Sequence, residues 1–397
     1  MAELAEPVPN DGPKTPRELA ESIGIAPDDI DRAETDGTLG LLIVDHLVVP
    51  EPAIYTQAEM DARSGLGEEA RRFWRALGFP DPDPDECVFS QMDLEMLQLV
   101  DAMLRLELID RDTALQVARV IGSSMARVAQ SQIDAIEARV DSDSRERDEE
   151  LAVQRMSMLL PTIPRVLEYS WRRHLQSAAR RSMVRDAMAE GGQQITTVGF
   201  ADLVGFTALS LQLDDHQLAH VVDRFEVTAY DLLAAHGGRV VKMIGDEVMF
   251  EFDDPAAAVA LALELANAYH EDDSVSDVRV GLARGPVLRR EGDLYGPTVN
   301  LASRIVGIAY AGAVVTSGEI RELLADDERF AWKTLRTRYL KGLGRVQLHA
   351  VRRADDVTEG FAERARRRRG QMVDRVTELV ERRVSPEPAA EELEPDA

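Results

Sequence analysis

Hydrophobic and polar positions divide the chain into two textures. From Thr15 to about Arg185, apolar residues recur at helical spacing. Leu94, Leu97, Val100, Leu104 and Leu108 show the pattern, with polar residues on the opposite face. Thr15-Pro16-Arg17-Glu18 supplies a cap residue, a proline at the first helical position and a glutamate that completes a capping box. Ser90 with Asp93 marks another start, and the periodicity runs on over Leu115–Val140. Pro161 and Pro164 punctuate the next helical stretch. These patterns predict one all-α domain over 15–175, then a basic helical linker over 176–194 that stops at Gly191-Gly192.

At Ile195 the texture changes. ITTVGFADL is a β-rich run, and Leu211–Ala235 is an amphipathic helix. Arg239–Ile244 and Val248–Phe252 are short apolar runs separated by Gly245-Asp246-Glu247, a hairpin signal. Pro255–His270, Val299–Ala309 and Ser317–Leu324 read as helices, and Val278–Ala283 and Ala313–Thr316 as strands. Trp332–Arg353 alternates like a final hairpin. Mixed helices and antiparallel strands predict an α+β domain over 195–352. Residues 1–14 are polar and Pro-rich and read as disordered, and 353–397 as a basic then acidic tail. Within that tail lies the cluster Arg364–Arg369, with a short amphipathic helix to Val384.

Composition narrows the function classes. Of 397 residues, 46 are Lys or Arg and 72 Asp or Glu, a net charge of −26. Such a surface repels polyanions, which argues against nucleic acid as a partner. The loose helix-turn-helix likeness of Tyr55–Gly78 is read as packing for that reason. The single cysteine, Cys87, excludes an intrachain disulfide framework or a multi-cysteine metal site. His216 and His220 share a helix face but have no evident third ligand. The start of the chain lacks a secretory signal, and Leu39–Val49, broken by Asp45 and His46, is about half the length of a bilayer span. A cytoplasmic protein is the expectation.

Four short stretches in the second domain carry chemistry. In Phe200-Ala201-Asp202-Leu203-Val204-Gly205-Phe206-Thr207 an aspartate ends an apolar strand before a glycine turn, where backbone N–H groups can meet phosphate. An aspartate so placed can equally cap the following helix. Lys242-Met243-Ile244-Gly245-Asp246 sets a second aspartate at a hairpin tip, and a hairpin packed beside the first strand brings Asp202 and Asp246 together. Asp293 precedes a helix on which Asn300 and Arg304 lie four apart and share a face. Tyr339-Leu340-Lys341-Gly342 holds a lysine at a turn.

In their order and spacing these stretches resemble the class III nucleotide cyclases over about 195–352. The resemblance implies a ferredoxin-like catalytic domain whose active sites form between two copies, hence a homodimer. It implies two Mg²⁺ or Mn²⁺ ions per site on Asp202, Asp246 and the backbone carbonyl of Leu203. It assigns adenine recognition to Lys242 and Asp293, which selects ATP. It assigns transition-state stabilisation to Asn300 and Arg304, and phosphate contacts to Lys341. Phe200, Gly205, Phe206 and Thr207 flank the first aspartate as substrate-binding candidates. The helical half resembles the regulatory domain of actinobacterial class IIIc enzymes. That likeness implies restraint of the catalytic dimer, with pH or a fatty acid or other lipid as candidate signals and His174 among arginines as a candidate proton-linked element. Two alternatives stand: a guanylate or dual-purine cyclase, and a catalytically silent nucleotide-binding module.

Overall fold

A computed structural model describes residues 15–49, 51–137, 162–188, 194–271 and 277–355. The segment 1–14 expected as disordered, Pro161, the expected stop at Gly191-Gly192, and the tail from residue 356 on with its expected cluster and helix lie outside the described residues. The chain divides into two compact units, Met1–Met183 and Val184–Ala397.

The first unit is helical: α1 (Pro16–Ser22), α2 (Pro27–Asp36), α3 (Leu39–Val48), α4 (Gln57–Arg63), α5 (Glu69–Ala76), α6 (Gln91–Arg105) and α7 (Arg111–Glu137). Thr15 closes its capping box, accepting from the Glu18 N–H at 3.3 Å while Glu18 accepts from the Thr15 N–H at 3.0 Å. Ser90 and Asp93 do the same for α6. The apolar tract is α3, whose Ile43 packs with Ala20, Ile25 and Ile30 in a small core. A second core joins Met60, Phe73, Phe89, Leu94, Leu97 and Leu115. Helix α8 (Ile163–Met188) runs unbroken past residue 175 through most of the segment expected as a linker. Among the described residues no helix is long and apolar enough to cross a membrane.

The second unit starts β1 (Ile195–Leu203), α9 (Phe206–Ser210), α10 (Asp215–Ala235), β2 (Arg239–Ile244), β3 (Glu247–Phe252), α11 (Pro255–Glu271), β4 (Val278–Pro286). Strand β1 lies between β3 and β4, antiparallel to both, and β2 pairs outside β3. This is the interlocked βαββαβ arrangement of the ferredoxin-like fold. The sheet extends as β2-β3-β1-β4-β7-β11-β8, with β7 (Val314–Ser317) parallel to β4, then β11 (Leu348–Arg353), and β8 (Phe330–Thr334) at the edge. Both faces are covered, which is why β1 reads as a nearly continuous apolar run instead of an alternating one. Helices α10 and α11 pack Phe225, Leu233, Leu261 and Leu265 on one face. Helix α12 (Pro297–Ile308) packs Ala302, Ile305 and Val306 on the other. Helix α12 comes so close that a Cβ on Gly281 would stand 2.4 Å from the Val306 nitrogen.

Three local readings change. The helix expected from Leu211 starts at Asp215, capped by Asp214, and residues 206–210 form their own turn of helix. A hairpin of β5 (Leu288–Arg290) and β6 (Asp293–Tyr295) was not anticipated. The final hairpin is two pairings: β8 (Phe330–Thr334) pairs with β11 (Leu348–Arg353), while β9 (Arg338–Leu340) and β10 (Gly344–Val346) form a separate ribbon. Helix α13 (Gly318–Leu323) completes the unit.

Candidate active site

Strand pairing assembles the first cluster. Asp202 stands opposite Glu247 on β3 and opposite Arg279 on β4. The β2–β3 turn, with Gly245 at φ 63°, therefore folds over the end of β1. Its Asp246 carbonyl accepts from the Leu203 N–H at 3.1 Å. Arg279 Nε donates to Asp202 Oδ2 at 2.6 Å, and the Asp202 side chain is 13% exposed. Burial pushes the Asp246 carboxyl above its ordinary value, and the charge of Asp202 and a hydrogen bond to it add to the rise. Burial first, then Asp202 and Asp246, pushes Glu247 up to about 7. Carboxylates crowded in a half-buried pocket are stabilised by a cation, and hard oxygen donors suit Mg²⁺ or Mn²⁺. Among the described residues no three-ligand His/Cys/Asp/Glu cluster is found. The fit is that of an ion held by one or two carboxylates and completed by phosphate oxygens and water.

A second cluster joins β2 to the β5–β6 hairpin. Lys242 Nζ donates to Asp293 Oδ2 at 2.5 Å, and Asp293 Oδ1 accepts from the Leu294 N–H at 2.7 Å. A cation and a carboxylate side by side, both partly open to solvent, present one donor and one acceptor edge to a heterocycle.

The remaining candidates are spread out. Asn300 and Arg304 are exposed on one face of α12, opposite the buried Thr298, Ala302, Ile305 and Val306. Lys341 is exposed at the β9–β10 turn. Gly205 adopts φ 81° at the head of α9, Thr207 is exposed, and Phe206 packs partly against the core. Phe200, 4% exposed, packs with Met249 and Ala302 in the core, so it supports the strand and presents no surface to a substrate. Sequence reasoning missed Glu247 and Arg279. The one local signal was a carboxylate directly after Gly245-Asp246.

Residues 189–353 match the family model described as the adenylate and guanylate cyclase catalytic domain, and residues 16–175 match the adenylate cyclase regulatory domain. An adenylate cyclase of Streptomyces coelicolor is 36% identical over 316 residues, covering 79% of each chain. One of Glutamicibacter nicotianae is 32% identical, covering 74% of this chain and 77% of its own. A protein of Mycobacterium tuberculosis named pH-sensitive adenylate cyclase is 33% identical, covering 83% of this chain and 85% of its own. The chain belongs to the adenylate cyclase family, with that family's regulatory domain ahead of its cyclase catalytic domain.

Proposed function

We propose that this enzyme converts ATP to 3′,5′-cyclic AMP and pyrophosphate, at sites completed between two copies of the chain. The observation that carries the reading is the pairing of two ready-made clusters in one domain: Asp202 with Asp246, and Lys242 with Asp293. Adenine offers an acceptor at N1 and a donor at its amino group. Lys242 meets the first and Asp293 the second, while guanine reverses both polarities.

Asp202 and Asp246, with the Leu203 carbonyl, would hold the divalent ions, two per site. When bound, these ions supply positive charge beside the ribose 3′-hydroxyl and the phosphates. The 3′-oxygen bonds to the α-phosphorus, the bond to the bridging oxygen breaks, and pyrophosphate leaves while the hydroxyl proton passes to water. Arg304 offers a planar donor fork and Asn300 an amide to the charge that develops on the α-phosphate. Lys341 steadies the departing phosphates. Gly205 and Thr207 offer backbone N–H groups near the triphosphate.

The exposure of Asn300, Arg304 and Lys341, none with an ion pair or side-chain hydrogen bond among the described residues, supports completion by a second copy. Mixing Asp202→Ala and Asn300→Ala chains tests this directly. Each variant alone is inactive, and a random mixture regains about a quarter of wild-type activity, since half the dimers are mixed and each holds one intact site. A mixture as inactive as its components contradicts the shared site.

The helical domain over 15–175 is proposed to restrain the catalytic dimer, with the pH sensitivity in the name of the mycobacterial relative as its model. His174 is exposed on α8 beside Arg172 and Arg173. For a lipid ligand the support is the family resemblance alone. A cyclic AMP assay across pH on the full chain and on residues 191–397 tests the restraint: equal rates and equal profiles contradict it.

A further inference from the structure

A buried charge cluster beside the purine pair has no role so far. Glu251, on β3, has a side chain 6% exposed and receives two arginines. Arg239 Nε, from β2, donates to its Oε1 at 2.5 Å, and Arg289 Nη1, from β5, donates to its Oε2 at 2.5 Å. Arg239 also reaches past the carboxylate, its Nη1 donating to the Gly292 carbonyl at 3.2 Å. Gly292 directly precedes Asp293. Its hairpin turns on Glu291 at φ 56° and Gly292 at φ 78°, the type I′ pattern.

A β-bulge aims these groups at one place. The β2–β3 register shifts between Val240 and Lys242, so Arg239 faces Glu251 and Lys242 faces Met249, two residues apart on β3. Strict alternation would send Arg239 and Lys242, three apart, to opposite faces. The bulge puts both on the face that receives the β5–β6 hairpin. The hairpin is thus held at three points: Asp293 by Lys242, the Gly292 carbonyl by Arg239, and Arg289 by Glu251. Among the described residues Glu251 is the one acceptor for Arg289, whose Nε and Nη2 are buried without a hydrogen-bond partner. Burying the Glu251 carboxylate between two half-buried arginines is costly, and apolar residues would hold a strand edge as well. What the cluster adds over apolar packing is direction: its hydrogen bonds fix where the hairpin sits along β2.

We propose that Glu251, with Arg239 and Arg289, is a positioning device for purine selection, setting Asp293 at the distance and angle from Lys242 that suit adenine. The inference rests on the reading that Lys242 and Asp293 recognise the base. A polar pair discriminates only while donor and acceptor stay in register with the ligand, so a loosened hairpin loses selectivity before it loses chemistry.

The test is the ratio of kcat/KM for ATP to that for GTP, measured on the full-length chain as wild type, Glu251→Gln, Arg239→Gln and Asp293→Ala. The ratio is independent of how much of a preparation is folded, which separates positioning from structural damage. For Glu251→Gln the expected result is a fall of about tenfold in the ratio, carried by a higher KM for ATP with kcat within about threefold. Arg239→Gln gives a smaller fall in the same direction, and it decides the matter if Glu251→Gln does not fold, because Arg239 is the more exposed and leaves Glu251 paired with Arg289. A ratio within about twofold of wild type in the folded variants, while Asp293→Ala lowers it, overturns the positioning role and leaves the purine reading standing. A wild type inactive on ATP, or a ratio unmoved by Asp293→Ala, overturns the purine reading itself and the inference with it.

Discussion

Lys242 and Asp293, 51 residues apart in the chain, meet at 2.5 Å between Nζ and Oδ2. The pair is partly solvent-exposed, so it contributes little to stability, about 0–1 kcal/mol. In the proposed reading its value lies in the edge it offers a base. Reversing that edge with Lys242→Glu and Asp293→Cys is expected to cut kcat/KM for ATP at least about tenfold and to raise that for GTP, with the thermal midpoint within a few degrees of wild type. Side-by-side assays with the two nucleotides check it. Unchanged preference contradicts the assignment.

Arg304 tests the division of labour. It is exposed, without a side-chain partner among the described residues, so removing it costs little folding free energy. If it meets charge only as the α-phosphate reacts, Arg304→Ala lowers kcat by about 10²-fold or more with KM for ATP within about threefold. A rise in KM at constant kcat assigns it to ground-state binding instead.

Gly281 tests the packing that places α12 over the sheet. With the Val306 nitrogen 2.4 Å from where a Cβ would stand, Gly281→Ala forces the backbone of one element to shift. Such overpacking costs about 1–3 kcal/mol. Calorimetry should show a melting point lower by several degrees. Because Asn300 and Arg304 ride on α12, activity falls further than the loss of folded protein accounts for. An unchanged midpoint contradicts the close approach.

His349 gives a pH-dependent contribution with a defined sign. On β11, burial first and then Arg321 hold its imidazole below its ordinary value. Its folded state therefore favours the neutral ring. Relative to His349→Gln, the wild type gains stability as pH rises toward the ordinary histidine range near 6.5 and loses it as pH falls through the depressed value. Denaturant titrations of both proteins between about pH 5 and 8 check this, and a wild-type advantage over the variant that grows toward acid contradicts it.

Much of the fold was legible because its signals are local. The Thr15–Glu18 and Ser90–Asp93 capping boxes, and the Gly245-Asp246 turn, each occupy a few adjacent residues. The meeting of Asp202 with Asp246 followed from packing one predicted hairpin beside one predicted strand. The β5–β6 hairpin was hidden for a physical reason: its strands are three residues each, and its turn places Glu291, not a glycine or asparagine, in the left-handed region. The Arg239–Glu251–Arg289 cluster draws on three strands and on a bulge that exists only once β2 and β3 pair. Phe200 misled because a family motif mixes residues that face the ligand with residues that build the strand beneath it, and one chain alone does not separate the two.

The most direct measurement is cyclic AMP production from ATP and a divalent ion by the purified full chain, compared with Asp202→Ala and Asp246→Asn. The expected result is product from the wild type, dependence on Mg²⁺ or Mn²⁺, and a loss of at least about 10²-fold in each folded variant. Wild-type protein that forms no cyclic nucleotide, or aspartate variants as active as wild type, would contradict it.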